Sequence, residues 1–415
     1  MSRLFFITVL AICSLQLGCS SEPSVDELLE QGRGAINAED WKTVRDIKNL
    51  LVERENARIE VQFLEAHLYM NVLNYDAVME RVGTIASDKR IREDCMMLAV
   101  HCFTAIQDMP SAMRTLEEMA TEFPENVDAH RLLIAHYYDF GALQQAMRHC
   151  ERVSELAPAD PRPDRLMGLI SKDFEKHELA ITHYLEALER AGGDPSFNQV
   201  DEIRTELSEV YIRMRNYQNA QKQLDQISPN APAALQATAL AYQAECAMAL
   251  GRFEQAEQYV RNSIRKDATL PHGQRILGLL AMQTGKPQAA REALEAATRL
   301  DPGNDRVYFQ LSNVLRQLGE TESAQEAFKK HEQIKALKLE YIELNVQAAQ
   351  QTDNAEIRIK IAGIAEQLGD YEASISWYSG ALGIDPGNQQ ALSGIQRISA
   401  AQQQTQQSPS PFSPR

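Results

Sequence analysis

Between residues 237 and 338 the apolar positions follow a helical rhythm that restarts at fixed intervals. One set falls at Ile276, Leu277, Leu280 and Ala281, and the next at Ala290, Ala293, Leu294 and Ala297. Steps of three and four place each set on one side of an α-helix. The pattern predicts a helix over 273–284 and a second over 287–300, with a turn at Gly285 between them. Such a turn calls for positive φ, which glycine adopts without steric cost. Pro302 cannot continue a helix and ends the pair. Gly278 and Ala290 are small where the two helices must approach, and a bulky side chain there would overpack by roughly 1–3 kcal/mol.

The pair recurs. Gly251, Gly285 and Gly319 stand 34 residues apart, inside the matching segments LGRFEQA (250–256), TGKPQAA (284–290) and LGETESA (318–324). A fixed period of this length means stacked supersecondary units. Extending the frame gives ten repeats, starting at residues 25, 59, 93, 127, 161, 201, 237, 271, 305 and 355. The fourth is strong, with Leu133, Tyr137, Gly141, Ala146 and Pro158 in phase. The first three are weaker: Val44 and Val78 stand where the repeat usually carries alanine, and Ser374 replaces it in the tenth. Extra residues interrupt the frame at 191–199, around 228–232 and at 331–354. The last segment has no Gly or Pro, and Leu337, Tyr341, Leu344 and Ala348 keep a helical stripe, so it reads as an extension of the ninth repeat's second helix. A capping helix is expected over 389–401, with Leu392, Ile395 and Ile398 covering the open end of the array. The Gln-, Ser- and Pro-rich segment 402–415 has the composition of disorder.

In the window 270–304, Leu277, Gly278, Ala290, Ala297 and Pro302 fall where the tetratricopeptide repeat (TPR) carries its consensus, and the chain resembles that family. The resemblance implies an all-α, right-handed superhelical solenoid of antiparallel helix pairs. It also implies a concave groove lined by the first helix of each pair, with contacts at the second, fifth, ninth and twelfth residues of a repeat. Carried onto this chain, those positions supply Arg131, Tyr138, Arg162, Arg165 and Lys172 from the fourth and fifth repeats. The eighth and ninth repeats supply Arg275, Phe309, Asn313 and Arg316. These basic side chains suit an acidic segment or a terminal carboxylate, since guanidinium pairs well with carboxylate. The family's specialised carboxylate clamp needs Lys and Asn in its first repeat; Leu29 and Arg33 stand there instead.

The N-terminus carries a different signal. Met1–Ser2–Arg3 is a basic head, and 4–15 is almost wholly apolar. That run is too short to span a bilayer but fits the core of a signal peptide. The following LQLGC (15–19) resembles a bacterial lipoprotein signal, although Gln16 stands where that family usually carries Leu. The resemblance implies cleavage of 1–18, acylation of Cys19, a linker over 19–24, and a place in the cell envelope. Ser20 after the cysteine implies the outer membrane, facing the periplasm.

Composition then narrows the chemistry. A formal charge of −16 argues against general nucleic-acid binding, which needs a basic face. The six cysteines have no C-x-x-C spacing and do not form a disulfide framework. Gly285–Lys286 is followed by Pro287 rather than Ser or Thr, so no phosphate loop is present. His177–Glu178 and His331–Glu332 lack the second histidine of a zinc-protease motif. No catalytic residue, cofactor site or metal site is expected. The sequence therefore points to a membrane-anchored scaffold that binds protein or peptide partners for an envelope assembly, secretion or polysaccharide-export system. The competing expectation is a non-catalytic subunit that positions an envelope synthase or peptidase. Cys19→Ala should move the protein from the membrane to the soluble fraction, because one residue carries the whole anchor. Unchanged fractionation would remove the basis for the lipoprotein assignment.

Overall fold

The computed structural model describes residues 22–407 apart from 140, 193–196 and 352, and it excludes the side chains of 349 and 401–407. The signal segment 1–18, Cys19, the first linker residues and 408–415 lie outside the described residues. Among the described residues there are 21 α-helices and no strand.

The chain divides into two compact bodies, residues 1–115 and 116–415. The first holds α1 (Val25–Asn37), α2 (Trp41–Val52), α3 (Arg58–Asn71), α4 (Tyr75–Ile85) and α5 (Arg92–Ala105), and the boundary falls inside α6 (Met109–Glu122). The second continues with α7 (Val127–Asp139), α8 (Leu143–Leu156), α9 (Arg162–Asp173), α10 (His177–Ala191), α11 (Val200–Arg213) and α12 (Tyr217–Leu224). Then come α13 (Ala233–Ala249), α14 (Phe253–Lys266), α15 (Pro271–Gln283), α16 (Pro287–Leu300) and α17 (Asp305–Gln317). It ends with α18 (Thr321–Gln350), α19 (Ala355–Leu368), α20 (Tyr371–Ile384) and α21 (Gln389–Gln407). Odd-numbered helices up to α19 are the first members of pairs, and the even-numbered helices return alongside them. The fold is an α–α solenoid.

One backbone device makes every pair. Between first and second helix a single residue takes positive φ: Glu39, Leu73, Gln107, Gly141, Glu175, Arg215, Gly251, Gly285, Gly319 and Gly369. An L-residue with a side chain there costs roughly 1–2 kcal/mol. Half of the turns accept that cost. Several offset it with the next residue, an Asn or Asp that caps the following helix. Asp40, Asn74, Asp108 and Asn216 accept from the backbone amides of Thr43, Ala77, Ser111 and Asn219. Each cap contributes about 1 kcal/mol.

Small residues then let the paired helices close. A Cβ on Gly278 would stand 2.7 Å from Leu294, and one on Gly168 would stand 2.8 Å from Tyr184. In the first body Leu28, Val44, Leu51, Leu64 and Val78 are buried together. In the second, alanines share the core with larger partners, as with Ala180, Tyr184, Ala187, Ile203 and Leu207. All four described cysteines, Cys95, Cys102, Cys150 and Cys246, are buried and free.

The insertion is helical. α18 runs unbroken through it, and Ile334, Leu344 and Ala348 bury one face, with Leu344 and Ala348 in the same core as Ile357 and Ile361 of α19. The Tyr341 hydroxyl accepts from the indole N–H of Trp377 at 3.2 Å. α21 covers α20 with Ala391 and Ile398 and extends to Gln407, beyond the expected end at Ala401. The helix thus takes in residues whose composition suggested disorder; glutamine is a good helix former once a helix has started. One contact skips the order of the repeats. The Ser376 hydroxyl on α20 donates to the Asp139 carbonyl at the end of α7 at 2.9 Å, and the Trp377 ring lies against Gly141.

Leu73 tests the turn device, because its side chain is 68% exposed and packs on little. Leu73→Gly should raise stability by about 0.5–1 kcal/mol, the relieved strain less the added chain entropy. Gly285→Ala, with no atom within 4 Å of the new Cβ, should lower it by about 1 kcal/mol. Urea midpoints would show both, and a lower midpoint for Leu73→Gly would contradict the account.

Candidate functional site

In the second body the first helices of successive pairs place charged side chains beside one another. Arg165 on α9 reaches Glu206 on α11 through two nitrogens, at 2.6 and 3.2 Å, and donates to Gln199 at 2.7 Å. Two turns further along the same face of α9, Lys172 meets Glu209 at 3.1 Å. Glu209 also accepts from Arg213 at 2.6 and 3.0 Å. On the next helices, Glu245 of α13 binds Arg275 of α15 at 2.9 Å and lies 3.0 Å from His272 Nε2. Adjacent repeats are thus joined by ion pairs on one surface. Removing one partner of such a pair costs more than it would at an open surface, since it leaves a shielded charge unanswered.

The remaining candidates sit nearby or on their own. Arg131 and Arg162 both grip Asp160, at 2.9 Å and at 2.7–2.8 Å. Burial alone would raise the Asp160 carboxyl, but the two guanidiniums hold it below its usual value. Tyr138 is 43% exposed on α7. On α17, Asn313 accepts from Arg316 at 2.5 Å, and Phe309 presents its ring 5.4 Å from that of His331. The structure therefore brings Arg165 and Lys172 together with carboxylates, places Arg275 at a second acidic residue, and keeps Phe309, Asn313 and Arg316 apart on α17.

A cavity of about 440 Å³ opens where these helices meet, lined by Glu209, Arg213 and Arg215, by Tyr242 and Glu245, and by His272, Arg275 and Arg306. A second, of about 390 Å³, shares Arg213, Asn304 and Arg306 with it and adds Glu175, Asp305, Lys335, Lys338, Leu339 and Ile342. Together they carry six Lys and Arg side chains against four carboxylates, a local positive balance in a chain of net charge −16. The side chains of Arg215 and Arg306 make no ion pair or hydrogen bond among the described residues.

Sequence reasoning named the basic side chains and missed Glu206, Glu209, Glu245, His272 and Arg306. The signal was present for most of them. Glu209 and Glu245 are the ninth residues of the sixth and seventh repeats, and His272 and Arg306 are the second residues of the eighth and ninth. Glu206 sits outside the four contact positions, and only the three-dimensional pairing shows it.

Two other polar clusters are already satisfied. Asp164, His183 and Glu186 bring ligand atoms within 4.8 Å of one another, but the Asp164 carboxylate already pairs with Arg190 at 2.9 Å and accepts from Ser154 at 3.1 Å. A cation there would have to compete with the guanidinium. His130 and His149 face each other at 2.9 Å between ring nitrogens, and burial lowers the pKa of both.

An α–α solenoid with a polar surface shared by successive helices defines a class: the repeat scaffold that binds protein or peptide partners and is typically non-catalytic. Three tetratricopeptide repeat profiles match the chain, one over residues 106–170 and 281–336, one over 205–271 and one over 355–388. The chain belongs to the tetratricopeptide repeat family. No curated protein matches it in sequence. Among solved structures, the Cut9–Hcn1 hetero-tetramer of the APC/C is 13% identical with a TM-score of 0.42, over 90% of this chain and 84% of that one. PilW, a type IV pilus biogenesis factor, is 15% identical with a TM-score of 0.40, over 55% and 100%. YrrB, a TPR protein with an unusual peptide-binding site, is 16% identical with a TM-score of 0.30, over 45% and 91%.

Glu245 gives the surface a pH signature. Burial raises its pKa, but His272 and Arg275 outweigh that and hold it at about 2. A carboxyl depressed below its unfolded value of about 4.3 stabilises the fold above that pH and loses the contribution as pH falls through the folded value. Glu245→Gln should be less stable at neutral pH by on the order of 2 kcal/mol, and the gap should close between about pH 4 and pH 2. Urea midpoints of the two proteins across that window would show it, and a constant gap would exclude the ion pair as the cause.

Proposed function

We propose that this protein is a lipid-anchored scaffold of the bacterial cell envelope that holds a protein or peptide partner on the surface formed by its first helices. Cys19 would carry the anchor, with the repeats on the periplasmic side of the outer membrane. The reading of the anchor rests on the sequence: the apolar run 4–15 followed by Gly18–Cys19. Among the described residues no helix is long and apolar enough to cross a membrane. The array would serve an assembly, secretion or polysaccharide-export system by capture, without a chemical step.

The observation that carries the binding role is the pair of connected cavities on the helix surface that tetratricopeptide repeats use for partners. Their basic balance favours an acidic segment, and Tyr138 on α7 and Phe309 on α17 are exposed rings on other first helices. The paired residues Arg131, Arg162, Arg165, Lys172 and Arg275 are better placed to shape this surface and to exchange carboxylates with a partner than to act as free charges. Asn313 and Arg316 extend the same helix face beyond Phe309.

Photo-crosslinking in cells tests the reading. A crosslinkable amino acid at Tyr138, Phe309 or Arg306 should capture the same discrete partner. The same group at Gln258 or Glu326, exposed residues on second helices, should not capture it. Equal capture from both sets would sink the proposal.

A further inference from the structure

The helical insertion carries two apolar stripes, and only one is needed to hold it in place. Ile334, Leu344 and Ala348 face the core. On a different side of α18, Leu339, Ile342 and Val346 are 61%, 49% and 45% exposed. Their spacing of three and four residues aligns them along one helix face, and Lys335 falls on the same line. Isolated exposed apolar residues need no explanation, but an aligned set marks an interaction surface. Such spacing is what a partner helix packs against.

The surroundings select the partner. Leu339 and Ile342 line the second cavity. There Lys338 is tied to Asp305 at 2.7 Å, and Arg213 is tied to Glu209. Arg306 and Lys335 have no partner among the described residues, and Glu175 is the lining carboxylate left to oppose them. An apolar stripe bordered by uncommitted cations complements an apolar stripe bordered by carboxylates. A second copy of this chain would present the same cations, which fits the site poorly.

We infer that the exposed stripe of the insertion, with Arg306 and Lys335 at its edge, is a docking site for a short acidic amphipathic helix of a partner protein. This rests on the scaffold function proposed above and specifies where, and by what chemistry, the partner is held.

The test uses the full-length chain and fluorescent peptides two heptads long, read by anisotropy. The first peptide carries Leu at the a and d positions and Glu elsewhere. The second replaces Leu with Ser, and the third replaces Glu with Lys. The first should bind at least about tenfold more tightly than either control, and its affinity should fall as salt rises. Leu339→Ser with Ile342→Ser should remove the preference. Arg306→Glu with Lys335→Glu should transfer it to the Lys peptide, a gain that misfolding cannot produce. Absence of binding, equal binding of all three peptides, or binding unchanged in the Ser variant would overturn the inference. Partner capture from Tyr138 and Phe309 in cells, with no peptide preference here, would overturn this inference alone. Loss of both results would overturn the scaffold function as well.

Discussion

Everything in this fold depends on one residue per helix pair being held in the left-handed backbone region. That residue reverses the chain within a few positions, so the second helix returns close enough for Gly278 and Leu294, or Gly168 and Tyr184, to interlock. Remove the sharp reversal and the small residues have nothing to close against. The constraint acts on the backbone and not on the residue type. Glycine meets it without strain, whereas Glu39, Leu73, Gln107, Glu175 and Arg215 meet it at a cost that packing and capping offset.

That distinction explains how much of the fold the sequence made legible. The glycines at 251, 285 and 319 announce the period because they are the cheapest solution to the turn. Glu39 and Leu73 solve the same problem invisibly, and they precede the first profile match at residue 106. The helices nevertheless keep the frame, because apolar spacing survives where the consensus does not. The insertion shows the same limit in another form. Its inner stripe reads directly from Leu337, Tyr341, Leu344 and Ala348. The outer one, Leu339, Ile342 and Val346, passes for ordinary surface until burial separates the two.

The binding surface was legible as a list of charges and not as a circuit. Arg165 and Glu206 are 41 residues apart in the chain, and Lys172 and Glu209 are 37 apart. No local pattern joins them; the stacking of repeats does. The consequence is chemical. Most of the guanidiniums that looked available are answered from the neighbouring repeat, so the surface holds less net charge than its composition suggests. What remains is set by the few cations left over, Arg215, Arg306 and Lys335. Specificity in such a surface comes from the exceptions to pairing.

The contact between α7 and α20 has a mechanical consequence. A linear repeat array loses order piecemeal, because each unit answers only to its neighbours. Ser376 and Asp139 are 237 residues apart and still share a hydrogen bond, with Trp377 against Gly141 beside it. A tie of that length converts a spring into a clasped loop. A contact of this kind adds one long-range constraint to repeats that otherwise answer only to their neighbours, worth about 1 kcal/mol for the hydrogen bond. The second body is therefore closed on itself at two points far apart in sequence, at the end of α7 and on α20.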